Sequence, residues 1–339
     1  MMNKSTNIMS LIMLMMSIMI SVSANSWFTV WMGMEMNIMS FMPLIMEQKN
    51  LMSKESALTY FMVQTIASMI LMMSMILMST NNNSLNLNME GMSYLMMISS
   101  LMMKSAMSPF HWWMPKMMEG LSWNKCFILM TIQKIIPMML MSSIIDINII
   151  TLMAMSLSII VGAIGGLNQT SLRKLMAYSS ITNNGWMLLA MMISEMMWMI
   201  YFCLYSIMTF VMTSSMSNFN NYHINQVISM NESNMKKFFM MMNMLSISGL
   251  PPMMGFMPKW LVMQSNMTKD ELFLVALMVM FTLITIYYYL RITFSTMLLS
   301  NNETKWNNKI STKMNKMTTM MNTLSITGML MITMTINMF

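Results

Sequence analysis

Runs of about twenty mostly apolar residues follow one another along almost the whole chain, and that length is what an α-helix needs to cross the ~30 Å hydrocarbon core of a bilayer. Little charge separates them. Charged residues make up 9% of the 339 and hydrophobic ones 56%, where a soluble domain carries about 25% charged. So few charges cannot clothe a soluble globule, and so much apolar side chain excludes a disordered one. The two Cys (Cys126, Cys203) and two His (His111, His223) are too scattered for a disulfide scaffold, a zinc cluster or an iron–sulfur centre. The expected fold is an all-α polytopic membrane protein.

Eleven spans are expected, at roughly 5–24, 27–46, 56–79, 92–114, 124–144, 147–167, 171–193, 196–216, 237–264, 272–298 and 319–338. With the N-terminus inside, 13 of the 18 basic residues fall in inside segments and only Lys269 falls outside. That asymmetry obeys the positive-inside rule and supports both count and orientation. The chain then forms a single transmembrane domain over 1–339, with a polar inside loop at 299–320 before a final helix. The net charge of +7 is largely topological and gives no reason to expect nucleic acid as a partner. Lys4 and the apolar run ending at Val22-Ser23-Ala24 also fit a signal peptide. The ten further spans, and a charge alternation that works with the first one retained, favour a membrane span. The 68 Met lie in every apolar stretch without fixed spacing. They therefore read as replacements for Leu and Ile rather than as copper ligands. A genetic code in which a former Ile codon specifies Met, as in many animal mitochondria, gives this composition.

Against so apolar a background, ionisable residues inside spans stand out: Glu35, Lys104, Lys134 and Lys259. Each costs at least about 2.5–3.5 kcal/mol at mid-bilayer, so such groups mark proton or ion paths unless they are structural ion pairs. A low dielectric drives acids and amines alike toward neutrality, and a nearby opposite charge reverses that. A carboxylate–lysine pair that forms and separates therefore changes proton affinity. One Glu cannot neutralise three Lys. Arg291, beside Tyr287-Tyr-Tyr289 near a span end, is expected to snorkel to the interface.

Proline breaks the fourth and ninth spans. The runs are Lys104-Ser-Ala-Met-Ser-Pro109-Phe-His111-Trp-Trp-Met-Pro115 and Ser248-Gly-Leu-Pro251-Pro252-Met-Met-Gly255-Phe-Met-Pro258-Lys259. Proline removes a donor and clashes with the carbonyl four residues back. The freed carbonyls at membrane depth need protein, water or a cation. Two broken helices five spans apart run in opposite directions, as an inverted five-helix repeat requires. Lys134 has its own Pro137, which points to a third opening. His111 fits a proton relay and equally an interfacial His among tryptophans, whereas His223 reads as a solvated loop residue.

These runs, with Arg173-Lys-Leu-Met-Ala-Tyr-Ser-Ser-Ile181, resemble the antiporter-like membrane subunits of respiratory complex I. Asn25-Ser-Trp-Phe-Thr-Val-Trp-Met-Gly-Met-Glu-Met-Asn37 and Gly162-Ala-Ile-Gly-Gly-Leu-Asn-Gln-Thr-Ser-Leu-Arg-Lys174 narrow the resemblance to invertebrate mitochondrial members. The resemblance implies a proton-translocating subunit of NADH:ubiquinone oxidoreductase in the mitochondrial inner membrane, multi-pass, with its N-terminus in the matrix. It implies a coupled pair Glu35 and Lys104, a connecting Lys134 and an exit-side Lys259. It places NADH, FMN, iron–sulfur clusters and ubiquinone on partner subunits, with no cofactor on this chain. The partners it implies are other membrane-arm subunits, neighbouring antiporter-like ones among them, and lipids such as cardiolipin. Asn183 stands where the family often has His. A sodium/proton antiporter and a structural scaffold are the alternative readings.

Overall fold

A computed structural model describes residues 4–47, 50–81, 87–145, 148–230, 234–266 and 272–298, and near the C-terminus 319–320, 322–323, 325 and 328. Among these the chain is helical, apart from loops and one isolated bridge between Ser171 and His223. The helices are α1 (Lys4–Val22), α2 (Trp27–Ile45), α3 (Leu51–Asn81), α4 (Leu87–Ser105), α5 (Trp113–Gly120), α6 (Trp123–Met130) and α7 (Ile132–Ile144). They continue as α8 (Ile149–Gly166), α9 (Leu172–Ile193), α10 (Glu195–Phe219), α11 (Ile224–Ile228), α12 (Asn234–Ser248), α13 (Phe256–Asn266) and α14 (Leu272–Leu298). The described residues of the expected final span are helical, while 299–318 of the expected polar loop lie outside the described residues.

The chain divides into two compact units, 1–121 with 128–148, and 122–127 with 149–339. In the first, α2 packs on α1 and α3, α3 packs on α4 and α5, and α7 packs on α1 and α4. In the second, α9 packs on α8 and α10, while α12 and α14 pack on each other. The segment 122–127 is held there by Trp123, whose Nε1 donates to Asn221 O at 2.9 Å. The same indole stacks on Tyr222, over which Arg173 lies at 4.6 Å.

Buried hydroxyls inside these helices answer to the backbone three residues back, as in Ser17 to Leu14 O (2.7 Å) and Ser100 to Met97 O (2.7 Å). Local bonding of this kind is how a polar side chain is tolerated where water is absent. Large apolar side chains such as Met19, Leu58, Met69, Phe273 and Met280 point outward, as a lipid-solvated surface allows. Six helical stretches among the described residues are long and apolar enough to cross a membrane. Helices outside these six include α2, with Glu35 and Asn37; α9, with buried Ser179, Ser180, Thr182, Asn183 and Asn184; and the broken pairs α4/α5 and α12/α13.

Both expected breaks occur, and they close in the same way. At the end of α4, Ala106 takes the left-handed conformation (φ 58°), its N–H donating to Met103 O and that of Met107 to Met102 O. At the end of α12, Gly249 does so (φ 83°), its N–H donating to Ser246 O and that of Leu250 to Leu245 O. These are paired bonds that satisfy terminal carbonyls. The peptides before Pro109 and Pro252 are cis. The third opening lies at Thr131, between α6 and α7, and Pro137 sits inside α7. Proline disturbs the turn N-terminal to itself, so the helix parts upstream of it.

Candidate functional site

In the first unit, Lys104 occupies the last turn of α4 and Lys134 the first turn of α7, and both are buried. The C-terminal end of a helix is the negative end of its dipole, which suits a lysine there. The Lys104 Nζ donates to Met34 Sδ at 2.9 Å. Glu35, the next residue on α2, is half-buried, and its side chain makes no hydrogen bond among the described residues. The structure thus sets Met34, not Glu35, against the lysine head.

Lys104 and Lys134 line one cavity of about 20 Å³, enough for a single water. A chain of neutral polar groups shares its wall. Tyr60 Oη donates to Gln133 Oε1 (3.2 Å), and Gln133 Nε2 donates to Asn37 Oδ1 (3.0 Å). Gln64 Nε2 donates to Lys104 O (3.4 Å), and Trp113 Nε1 donates to Met103 O (3.1 Å), so α5 and α3 supply donors to carbonyls freed at the break. His111 is buried and stacked on Trp112, with Nδ1 3.2 Å from Pro109 O; it does not line this cavity.

In the second unit, Lys259 sits in the first turn of α13, buried, and its Nζ donates to Ser248 O, the last carbonyl of α12, at 2.9 Å. The lysine head therefore supplies a donor to a terminal carbonyl that the break leaves without a helical partner. A cavity of about 20 Å³ in this unit is lined by Asn183, Tyr201, Tyr205, Thr209, Ser246, Gly255 and Pro258 among others; Pro258 precedes Lys259, which does not itself line it. Tyr201 Oη donates to Asn183 Oδ1 at 3.0 Å. Water held beside Asn183 has room here. Among the described residues no three His, Cys, Asp or Glu side chains gather as metal ligands would.

A family model described as NADH:quinone oxidoreductase/Mrp antiporter, TM, matches residues 24–285. The chain belongs to this family. Among members of the NADH:quinone oxidoreductase/Mrp antiporter family, it is 44% identical over 338 residues to NADH-ubiquinone oxidoreductase chain 2 of Anopheles gambiae, covering 98% of both chains. The Aedes aegypti counterpart is 46% identical with the same coverage, and that of Bos taurus is 34% identical over 94% of this chain and 95% of its own. In fold, the chain matches a chain of Thermus thermophilus respiratory complex I with a TM-score of 0.80 at 18% identity, over 95% of this chain and 78% of that one. It matches a chain of the Mrp complex of a Dietzia species with a TM-score of 0.73 at 13% identity, over 84% and 59%.

Sequence reading missed the neutral residues Tyr60, Gln64 and Gln133. Gln64 and Gln133 left a trace, an amide inside an apolar span; Tyr60 left none, since a tyrosine there reads as packing.

Proposed function

We propose that this chain is a proton-translocating subunit of the membrane arm of NADH:ubiquinone oxidoreductase, the counterpart of the insect chain 2 proteins, in the mitochondrial inner membrane. One observation carries the mechanism: each unit holds a buried lysine at a broken helix, Lys104 lining a water-sized cavity with Lys134, and Lys259 on the last carbonyl of α12. Redox energy released on partner subunits, which hold NADH, FMN, iron–sulfur clusters and ubiquinone, changes the separation of Glu35 from Lys104. Lys104 yields its proton toward Lys134 through the water and amides they share, and Lys259 takes up the proton that leaves the subunit. A lysine releasing a proton becomes the neutral amine and regains the charge on reloading, so each step balances. His111 relays protons at the rim of the first break.

Eleven spans form one transmembrane domain with the N-terminus in the matrix, and the first ten are two inverted five-helix repeats. The unit boundary at residues 148 and 149, at the start of α8, supports that division although the second unit also takes 122–127, and so does the matching closure at Ala106 and Gly249. Neighbouring antiporter-like subunits and lipids such as cardiolipin cover the apolar flanks. The test is Lys104→Ala in the assembled complex reconstituted in vesicles. Fewer protons pumped per NADH oxidised is the expected result, and an unchanged ratio sinks the assignment.

A further inference from the structure

The C-terminal segment meets the second break through a buried polar cluster that the mechanism above does not use. Asn243, on α12 five residues before the carbonyl that receives Lys259, donates through Nδ2 to Asn322 Oδ1 at 3.0 Å. Ser325 Oγ shares its one proton between Asn243 Oδ1 at 2.9 Å and Asn322 O at 2.8 Å, and Ser325 O accepts the N–H of Met254 at 3.2 Å. Asn243, Asn322 and Ser325 are each about 1% exposed. Ser325 therefore grips both sides of the break at once, the α12 side by its hydroxyl and the loop leading to α13 by its carbonyl. The loop is already pressed on α12, since a Cβ on Gly255 would lie within bonding range of Ser246 O. Gly328 lies along the same segment, where a Cβ would touch Met254 at 3.0 Å.

Asn243 has a partner for both its amide nitrogen and its amide oxygen, while Asn322 Nδ2 has none among the described residues, and the two bonds of Asn243 define one arrangement of loop against helix. That arrangement sets where α13 starts relative to the end of α12, and hence how far the Lys259 head is from Ser248 O. We infer that Asn243, Asn322 and Ser325 form a clamp by which the C-terminal segment positions Lys259 for proton transfer. They are positioning residues, acting through the backbone of the break. The inference rests on the proton-carrying role of Lys259 proposed above.

The experiment measures protons pumped per NADH oxidised, across a range of pH, in vesicles holding the purified complex with Ser325→Ala, Ser325→Thr, Asn243→Leu or Lys259→Ala. Ser325→Ala keeps the backbone bond to Met254 and removes only the hydroxyl. The expected results are a lower ratio and a displaced pH profile for Ser325→Ala and Asn243→Leu, with recovery in Ser325→Thr, which restores the hydroxyl. A ratio and profile unchanged in Ser325→Ala, while Lys259→Ala lowers the ratio, overturn the clamp and leave the role of Lys259 standing. No change in Lys259→Ala removes the role of Lys259, and the clamp with it. Failure of both Ser325→Ala and Asn243→Leu to assemble overturns the positioning role, because the cluster is then a folding joint only.

Discussion

Single residues decide how the two lysine sites are built. Gly249 has φ +83°, and a Cβ there would lie 2.9 Å from Lys259 Nζ and 3.2 Å from its Cδ. The left-handed conformation costs an L-residue about 1–2 kcal/mol, and the added methyl also pushes the ammonium from Ser248 O. Gly249→Ala should lower the half-inactivation temperature of the complex and its pumping ratio together. Ala106 bears the same conformation with a Cβ in place (φ 58°), so Ala106→Gly should leave that temperature unchanged or raise it. In the first cavity, Gln133→Leu leaves Tyr60 and Asn37 without the partner each now has. A cost of about 1–3 kcal/mol is expected, read as a fall in half-inactivation temperature, with a smaller fall for Tyr60→Phe.

Between elements, α8 and α9 approach closely. A Cβ on Gly162 would lie 2.4 Å from Thr182 Cγ2 and 2.9 Å from Thr182 N and Tyr178 O, and one on Gly185 would lie 2.4 Å from Ser158 Oγ. Lipid offers helices no hydrophobic drive to associate, so small residues that let backbones touch take its place. The contact matters because α9 carries the amides and hydroxyls of the second site, and burying them needs neighbours on several sides. Gly162→Val should therefore sharply reduce the amount of assembled complex on a native gel. Gly91→Ala, where a Cβ meets nothing within 4 Å, should leave that amount intact. The polar α9 is also why a hydropathy criterion finds six helices here and passes over this one.

For the whole molecule, the distribution of Lys and Arg argues a matrix location for 299–320, which holds Lys305, Lys309, Lys313 and Lys316. Trypsin added to inside-out inner-membrane vesicles should cut there, and trypsin added to right-side-out mitoplasts should not. Class, both breaks and the burial of Lys104, Lys134 and Lys259 could be read along the chain, because each follows from a local property: length of apolar run, position of proline, rarity of charge. Lys134 was visible alone, but that it shares a cavity with Lys104 through Gln133, Asn37 and Tyr60 was not, since these residues are neutral and come from α2, α3 and α7. The resemblance implies a coupled pair of Glu35 and Lys104, and the structure adds what it does not name, Met34 at the lysine head. The tie between Ser325 and Met254 spans more than seventy residues and uses backbone groups, which carry no sequence signature at all. Sequence alone singled out Lys104, Lys134 and Lys259, which the structure buries. Only the tertiary packing decided their partners, because hydrogen-bond geometry depends on which faces of distant helices meet.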